Sequence, residues 1–175
     1  MFGWLWILIC LGLSTSAEQR SFRFVIKEFY IKPTVPDVME SVNWTMPNRS
    51  TISIALILKR EIDKMDLETS LDVIRTGKQI MRLYQIRLDA CQFLTTIHKN
   101  RIFNLFANSV NKGSNGYLRC PLKPNFNYTL VNWYMDEKYF PNYVPECNFR
   151  VSTKFYSHSK MIVTSLNLGS VVFNN

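Results

Sequence analysis

The chain has little of what metal, phosphate or nucleophilic chemistry needs. Its 175 residues include two histidines, four cysteines and six glycines. No C-x-x-C pair occurs and the histidines, His98 and His158, lie far apart, which argues against a zinc site. The glycines form no phosphate-cradling cluster, so a nucleotide loop is excluded. No G-x-S-x-G elbow is present. His158 sits in a turn between Ser157 and Ser159, His98 falls on an expected helix, and neither is followed by an obvious partner carboxylate. The expectation is a protein that is not an enzyme, with no cofactor and no metal. Charge is equally unconcentrated. The 21 basic and 13 acidic side chains leave a net +8, yet Arg20, Arg23, Lys27, Lys59, Arg60, Lys78 and Arg82 are scattered, which argues against a nucleic-acid partner.

Only one long apolar run exists, Phe2 to Leu13, followed by small residues up to Ala17. It is too short to span a bilayer core of roughly 30 Å and has the layout of a secretory signal peptide over residues 1–17. No later stretch reads as a transmembrane segment, so residues 18–175 are expected to be one secreted, extracellular domain. The sequons at Asn43, Asn48 and Asn127 suit that compartment, and glycosylation there would mark surface. With Cys10 in the signal, the mature chain keeps Cys91, Cys120 and Cys147. Three is odd: two should pair, and one should be free, buried or joined to another molecule. A Cys91–Cys120 bridge would close a loop of roughly 30 residues and add about 3 to 4 kcal/mol.

Alternation of period two dominates the rest. Phe22–Lys32, Ser50–Lys59, Leu67–Ile74, Ile80–Leu88, Tyr128–Met135, Asn148–Tyr156 and Lys160–Phe173 all read as strands, with Thr76-Gly77-Lys78 as a hairpin turn. Gln92–Asn111 is the exception: Leu94, Ile97, Ile102, Leu105, Phe106 and Val110 recur at three and four, which predicts an amphipathic helix with a break near Lys99-Asn100. The pattern predicts a mainly β chain of antiparallel sheets with a helix packed over an edge or opening.

The runs RLDACQFL (87–94), SNGYLRCPL (114–122), YTLVNWYM (128–135) and PNYVPECNFRV (141–151) resemble the insect DUF1091 (DM8) family of secreted proteins, which includes the chemosensory B-type proteins. The resemblance covers about residues 48–173. Its most specific parts are Asp89, Cys91, Phe93 and Leu94, then Asn115, Cys120 and Pro121. It implies an antiparallel β-sandwich or β-cup, distantly like the GM2-activator and MD-2-related lipid-recognition proteins. It also implies the Cys91–Cys120 disulfide, with Cys147 left unpaired. The family's usual extra cysteines in the first strand pair are missing here.

From that architecture follows a secreted binder or carrier of a hydrophobic small molecule or lipid, in chemosensory or pheromone signalling, with a membrane receptor or channel as a further partner. The expected lining is Ile52, Ile54, Leu56, Leu71, Val73, Ile86, Phe106, Val131 and Trp133. Lys123, Lys138 and Arg150 are candidates for a basic rim. The alternative is a filled core acting through its surface, with Trp133, Tyr134, Tyr139, Phe140 and Tyr143 as contacts.

Overall fold

Alternation of period two becomes eight strands: β1 (Phe22–Pro33), β2 (Met39–Asn48), β3 (Thr51–Leu58), β4 (Asp66–Ile74), β5 (Ile80–Asp89), β6 (Asn127–Trp133), β7 (Cys147–Ser157) and β8 (Lys160–Phe173). Helices α1 (Ala90–Thr95) and α2 (Arg101–Gly113) lie between β5 and β6. A 3₁₀ turn, Glu137–Tyr139, follows β6. This computed structural model describes residues 22–74, 79–96, 101–116, 118–140 and 144–173. The expected signal segment, Cys10, the Thr76-Gly77-Lys78 turn, His98, the Lys99-Asn100 break and Tyr143 lie outside the described residues, as does the side chain of Tyr139.

The strands form two antiparallel sheets, in the orders β1-β8-β7-β4-β5 and β2-β3-β6. These are the antiparallel sheets that the alternation pointed to, in the mainly β sandwich that the family resemblance implied. One strand was not anticipated. Residues 43–50 read as a connection, yet Met39–Asn48 is a full edge strand paired with β3, its Val42, Trp44 and Met46 alternating with Ser41, Asn43 and Thr45. Pro33 and Pro36 punctuate the chain before it, and Pro47 is tolerated because an edge strand has one unpaired side. The β7–β8 hairpin turns on His158 and Ser159, both at positive φ (49° and 64°), the geometry that matches strand twist in a two-residue loop.

Register fixes which side chains face the second sheet. On the large sheet one row runs Ile86, Thr69, Thr153, Ser165, Ile31 from β5 to β1, and the next runs Tyr84, Leu71, Val151, Asn167, Phe29. On the small sheet Ile52, Ile54, Leu56 and Leu58 face inward with Trp133, Leu130 and Tyr128. The sheets meet in three clusters. Val35, Val38, Leu58, Ile62, Tyr128, Ile162 and Val163 seal one end. Phe22, Phe149 and Val171, with Phe140 and Val144, seal the other. Ile26 and Phe29 pack against Ile52 and close the side formed by β1. Burial of each such aliphatic or aromatic side chain is worth about 1.5–3 kcal/mol, so these clusters are where the sandwich is held shut.

Candidate functional site

Between the sealed ends, the inward side chains of both sheets are only half-buried. Leu71, Val73, Ile86, Val151 and Thr153 on the large sheet, and Ile54, Leu56 and Leu130 on the small one, all retain contact with solvent. In a filled sandwich, facing rows interdigitate and are buried. Here these inward rows keep partial exposure although Leu56, Leu71 and Ile54 also pack against the three clusters, and β5 and β6 are the sheet edges at the far side from β1. Helices α1 and α2 stand at that side, because they connect β5 to β6.

Five of the nine expected lining residues, Ile54, Leu56, Leu71, Val73 and Ile86, therefore lie half-buried on the inward faces of the two sheets. Ile52 is 1% exposed and belongs to the cluster that closes the β1 side. Phe106 and Trp133 come together at the junction of α2 and β6, with ring centroids 5.5 Å apart. There the Trp133 indole Nε1–H donates to Ser109 Oγ at 2.8 Å, which fixes the helix against the strand. Behind them lies a cavity of about 40 Å³, bounded by Leu105, Phe106, Trp133, Met135 and Phe140, which has room for water but not for an alkyl chain. Val131 has a different place from the one expected. Leu130 pairs with Ile54 and Trp133 with Ile52, so a bulge, with Asn132 at φ 48°, turns Val131 outward, and it is 56% exposed.

The motif residues hold together the helical arm that joins β5 to β6. Asp89 caps α1, its carboxylate accepting from the Gln92 N–H at 2.9 Å. Cys91, one position into the helix, is disulfide-bonded to Cys120. Phe93 is buried against Phe103 and Phe106 of α2. The Leu94 carbonyl accepts from Asn111 Nδ2 at 2.7 Å, which joins the two helices. Asn115 then pins the arm to β6, its Nδ2 donating to the Asn127 carbonyl at 2.8 Å and its backbone N–H to the Thr129 carbonyl at 3.1 Å. Asp89 thus caps, Cys91 and Cys120 cross-link, Phe93 packs, and Leu94 and Asn115 anchor. Cys147 is unpaired and half-buried beside Phe149 and Val171, and burial pushes its thiol above the usual value.

The outward face of the large sheet carries a feature that the sequence reading missed. Asp72 on β4 accepts from Arg82 Nε at 2.9 Å and from Arg150 Nε and Nη2 at 3.0 and 2.7 Å. The two guanidinium groups cover the carboxylate, whose side chain is 2% exposed, and their hydrogen bonds hold its pKa below 3.8 despite that burial. Glu68 beside it accepts from Gln85 and is bridged by Lys154. These groups line a 230 Å³ groove whose charges are largely satisfied by one another. Alternating acids on β4 and bases on β5 and β7 were the available signal. Arg150 is accordingly not at the cleft rim but across the sheet from it, while Lys123 and Lys138 are exposed.

The turn at His158 also gains a neighbour from the fold. Ser157 Oγ lies 3.2 Å from His158 Nδ1, and Asp63 Oδ1 lies 3.5 Å from His158 Nε2. The sequence reading found no carboxylate for His158; Asp63 supplies one from the segment before β4. Both side chains are more than half exposed, so the pair is screened by water, and it sits on a hairpin tip rather than in the cleft. Among the described residues no cluster of histidine, cysteine and carboxylate side chains is grouped to hold a metal ion.

Asn43 and Asn127 are exposed on the outward face of the small sheet, and Asn48 is exposed at the β2–β3 turn. Among the described residues no helix is long and apolar enough to cross a membrane.

The span that holds the capped, cross-linked arm also decides the comparison with known families. Residues 67–151 match the family model DUF1091, a protein of unknown function. The match bears out the resemblance carried by the two motifs, over a span narrower than 48–173. The DUF1091 span includes β4 from its second residue, β5, both helices, the Cys91–Cys120 bridge, β6 and the first part of β7. It leaves out β1, β2, β3 and β8, which complete both sheets. No curated protein matches the chain. Among solved structures it is similar to a Niemann-Pick type C2 protein from Japanese carpenter ant, at 9% identity and a TM-score of 0.37, with 80% of this chain and 96% of that chain covered.

Proposed function

We propose that the protein is a secreted, non-enzymatic binder of a hydrophobic small molecule or lipid, held in the cleft between its two sheets. The observation that carries this reading is the half-burial of Ile54 and Leu56 opposite Leu71, Val73 and Ile86, in a fold whose ends and β1 side are shut. An apolar wall left in contact with water gains on being covered, and each buried CH₂ of a ligand contributes about 0.8 kcal/mol. A chain of ten methylenes would thus supply about 8 kcal/mol before the cost of immobilising it. Catalysis is not needed for such a role, and the His158 and Asp63 side chains beside Ser157 are more than half exposed at a hairpin tip. Export is supported by the apolar N-terminal run, the disulfide and three exposed sequons. Chemosensory or pheromone signalling is the setting suggested by the family resemblance.

The test is native mass spectrometry with organic extraction of the protein secreted from insect cells, together with uptake of a neutral fluorescent probe. Co-purifying lipid, or probe uptake that falls at least tenfold in Leu71→Lys, supports the cleft. Protein that carries no extra mass and takes up no probe removes it. That outcome favours a second reading, a surface-acting partner of a receptor or channel. This alternative is supported by edge strand β5, where Ile80 and Leu83 are 54% and 52% exposed beside unpaired backbone groups.

A further inference from the structure

The cleft wall on the large sheet is not uniformly apolar. Thr69, Thr153 and Ser165 stand side by side on β4, β7 and β8, and Asn167 is next along β8, so four polar side chains form one patch in the middle of the inward face. Three adjacent strands place the patch across roughly 10 Å. The Thr69 and Thr153 hydroxyls lie 3.3 Å apart and share a hydrogen bond, which leaves acceptor capacity on both. Asn167 is half-buried, and its Oδ1 is shielded from solvent with no hydrogen-bond partner. An unpaired buried acceptor is costly, and packing alone would be better served by valine or leucine. The terminal amide torsion is soft, so either the oxygen or the NH₂ of Asn167 can turn toward the cleft.

What the patch lacks is charge. Every residue of its two rows is apolar or neutral, and the nearby cations Arg82, Arg150 and Lys154 lie on the opposite face, bound to Asp72 and Glu68. A carboxylate buried here would have hydroxyl and amide donors but no counter-ion, and would lose more hydration than they return. A saturated hydrocarbon would cover the patch and leave its polar groups unpaired. Resting on the cleft reading above, we infer that the site selects an uncharged apolar ligand carrying a hydrogen-bonding oxygen function, as in a long-chain alcohol, ester or ketone, over both a free fatty acid and a plain alkane. The hydroxyls of Thr69, Thr153 and Ser165 and the amide of Asn167 receive that oxygen, and the isoleucine, leucine and valine side chains around them receive the chain.

The experiment is displacement of the neutral probe N-phenyl-1-naphthylamine from the full secreted protein by hexadecane, hexadecanol, methyl palmitate and palmitate at neutral pH. Hexadecanol and the ester are expected to bind about tenfold tighter than hexadecane, the effect of one net hydrogen bond, and tighter than palmitate. Thr153→Val combined with Asn167→Leu is expected to erase the preference over hexadecane while keeping probe uptake. Ser165→Ala, a milder change, is expected to reduce it in part. The Asn167→Leu protein should also melt at a higher temperature, because the orphaned acceptor is gone. Equal binding of all four ligands, a preference for palmitate, or an unchanged ranking in the variants would overturn the inference and leave the cleft standing. Absence of uptake by any ligand or probe would overturn the cleft itself.

Discussion

Replacing both Cys91 and Cys120 by serine tests whether the helical arm depends on its cross-link. The bridged residues are 29 apart in sequence. In the chain-entropy treatment, a closed loop of that size restricts the unfolded chain by about 3.6 kcal/mol at 25 °C. For a domain of this size each kcal/mol moves the melting temperature by about 2–4 °C, so the double variant should melt roughly 7–14 °C lower. The double change is needed because a single one would leave a thiol free to pair with Cys147, the free cysteine among the described residues. The assay is urea unfolding followed by far-UV circular dichroism, beside a thermal melt. The urea slope should rise as well, because the uncrosslinked unfolded chain exposes more surface. Within the arm, the Asp89 cap, the Asn111 bond to Leu94 and the Asn115 anchors remain, so α1 and α2 should form but protect their amides less against hydrogen exchange. A stability loss below about 1 kcal/mol would refute the reasoning, since it would mean that these local contacts already restrict the loop when the domain is unfolded.

Three further changes have definite expected outcomes. Gly169→Ala should cost about 1–3 kcal/mol in chemical denaturation. A Cβ there meets the Phe149 ring and lies 2.6 Å from the Val25 carbonyl oxygen; because that oxygen is backbone, shortening Phe149 as well should not restore stability, and full restoration would show that the ring alone was the obstacle. Asp72, whose pKa is lowered in the folded protein by Arg82 and Arg150, stabilises the fold fully above its unfolded value near 3.8, and that contribution fades as pH falls through the lower folded value. Asp72→Asn should therefore lower stability at pH 7 and narrow its gap to wild type below pH 3.8, with a constant gap across pH 2–7 counting against the linkage. Ser159→Gly should raise stability by up to about 1 kcal/mol, because φ 64° costs an L-residue more than glycine's extra chain entropy; a loss on thermal melting would indicate that the Ser159 side chain contributes something that the backbone argument omits.

The sequence by itself determined the strands that alternate in polarity, such as Leu67–Ile74, because a period of two specifies one apolar face without reference to any partner. It also located the helical interruption, since the spacing of Leu94, Leu105, Phe106 and Val110 is incompatible with a strand. The D-x-C-x-F-L run identified the arm before its task was visible. β2 was hidden because its exposed asparagines and Pro47 read as a connection, and only its pairing with β3 makes it a strand. What the sequence could not determine is distance. Whether Leu71 and Ile54 interdigitate or stand apart depends on how two sheets diverge, a property of clusters assembled from Val38, Ile62 and Val163 at one end and Phe22 and Phe149 at the other. Register, too, belongs to the tertiary structure: Thr69, Thr153 and Ser165 are separated by up to 96 positions in the chain, and only the pairing of β4 with β7 and of β7 with β8 aligns them on one wall. Local patterning acts through neighbours one to four residues away, whereas a cleft and its polar patch are made by strands that meet after the chain has folded back on itself.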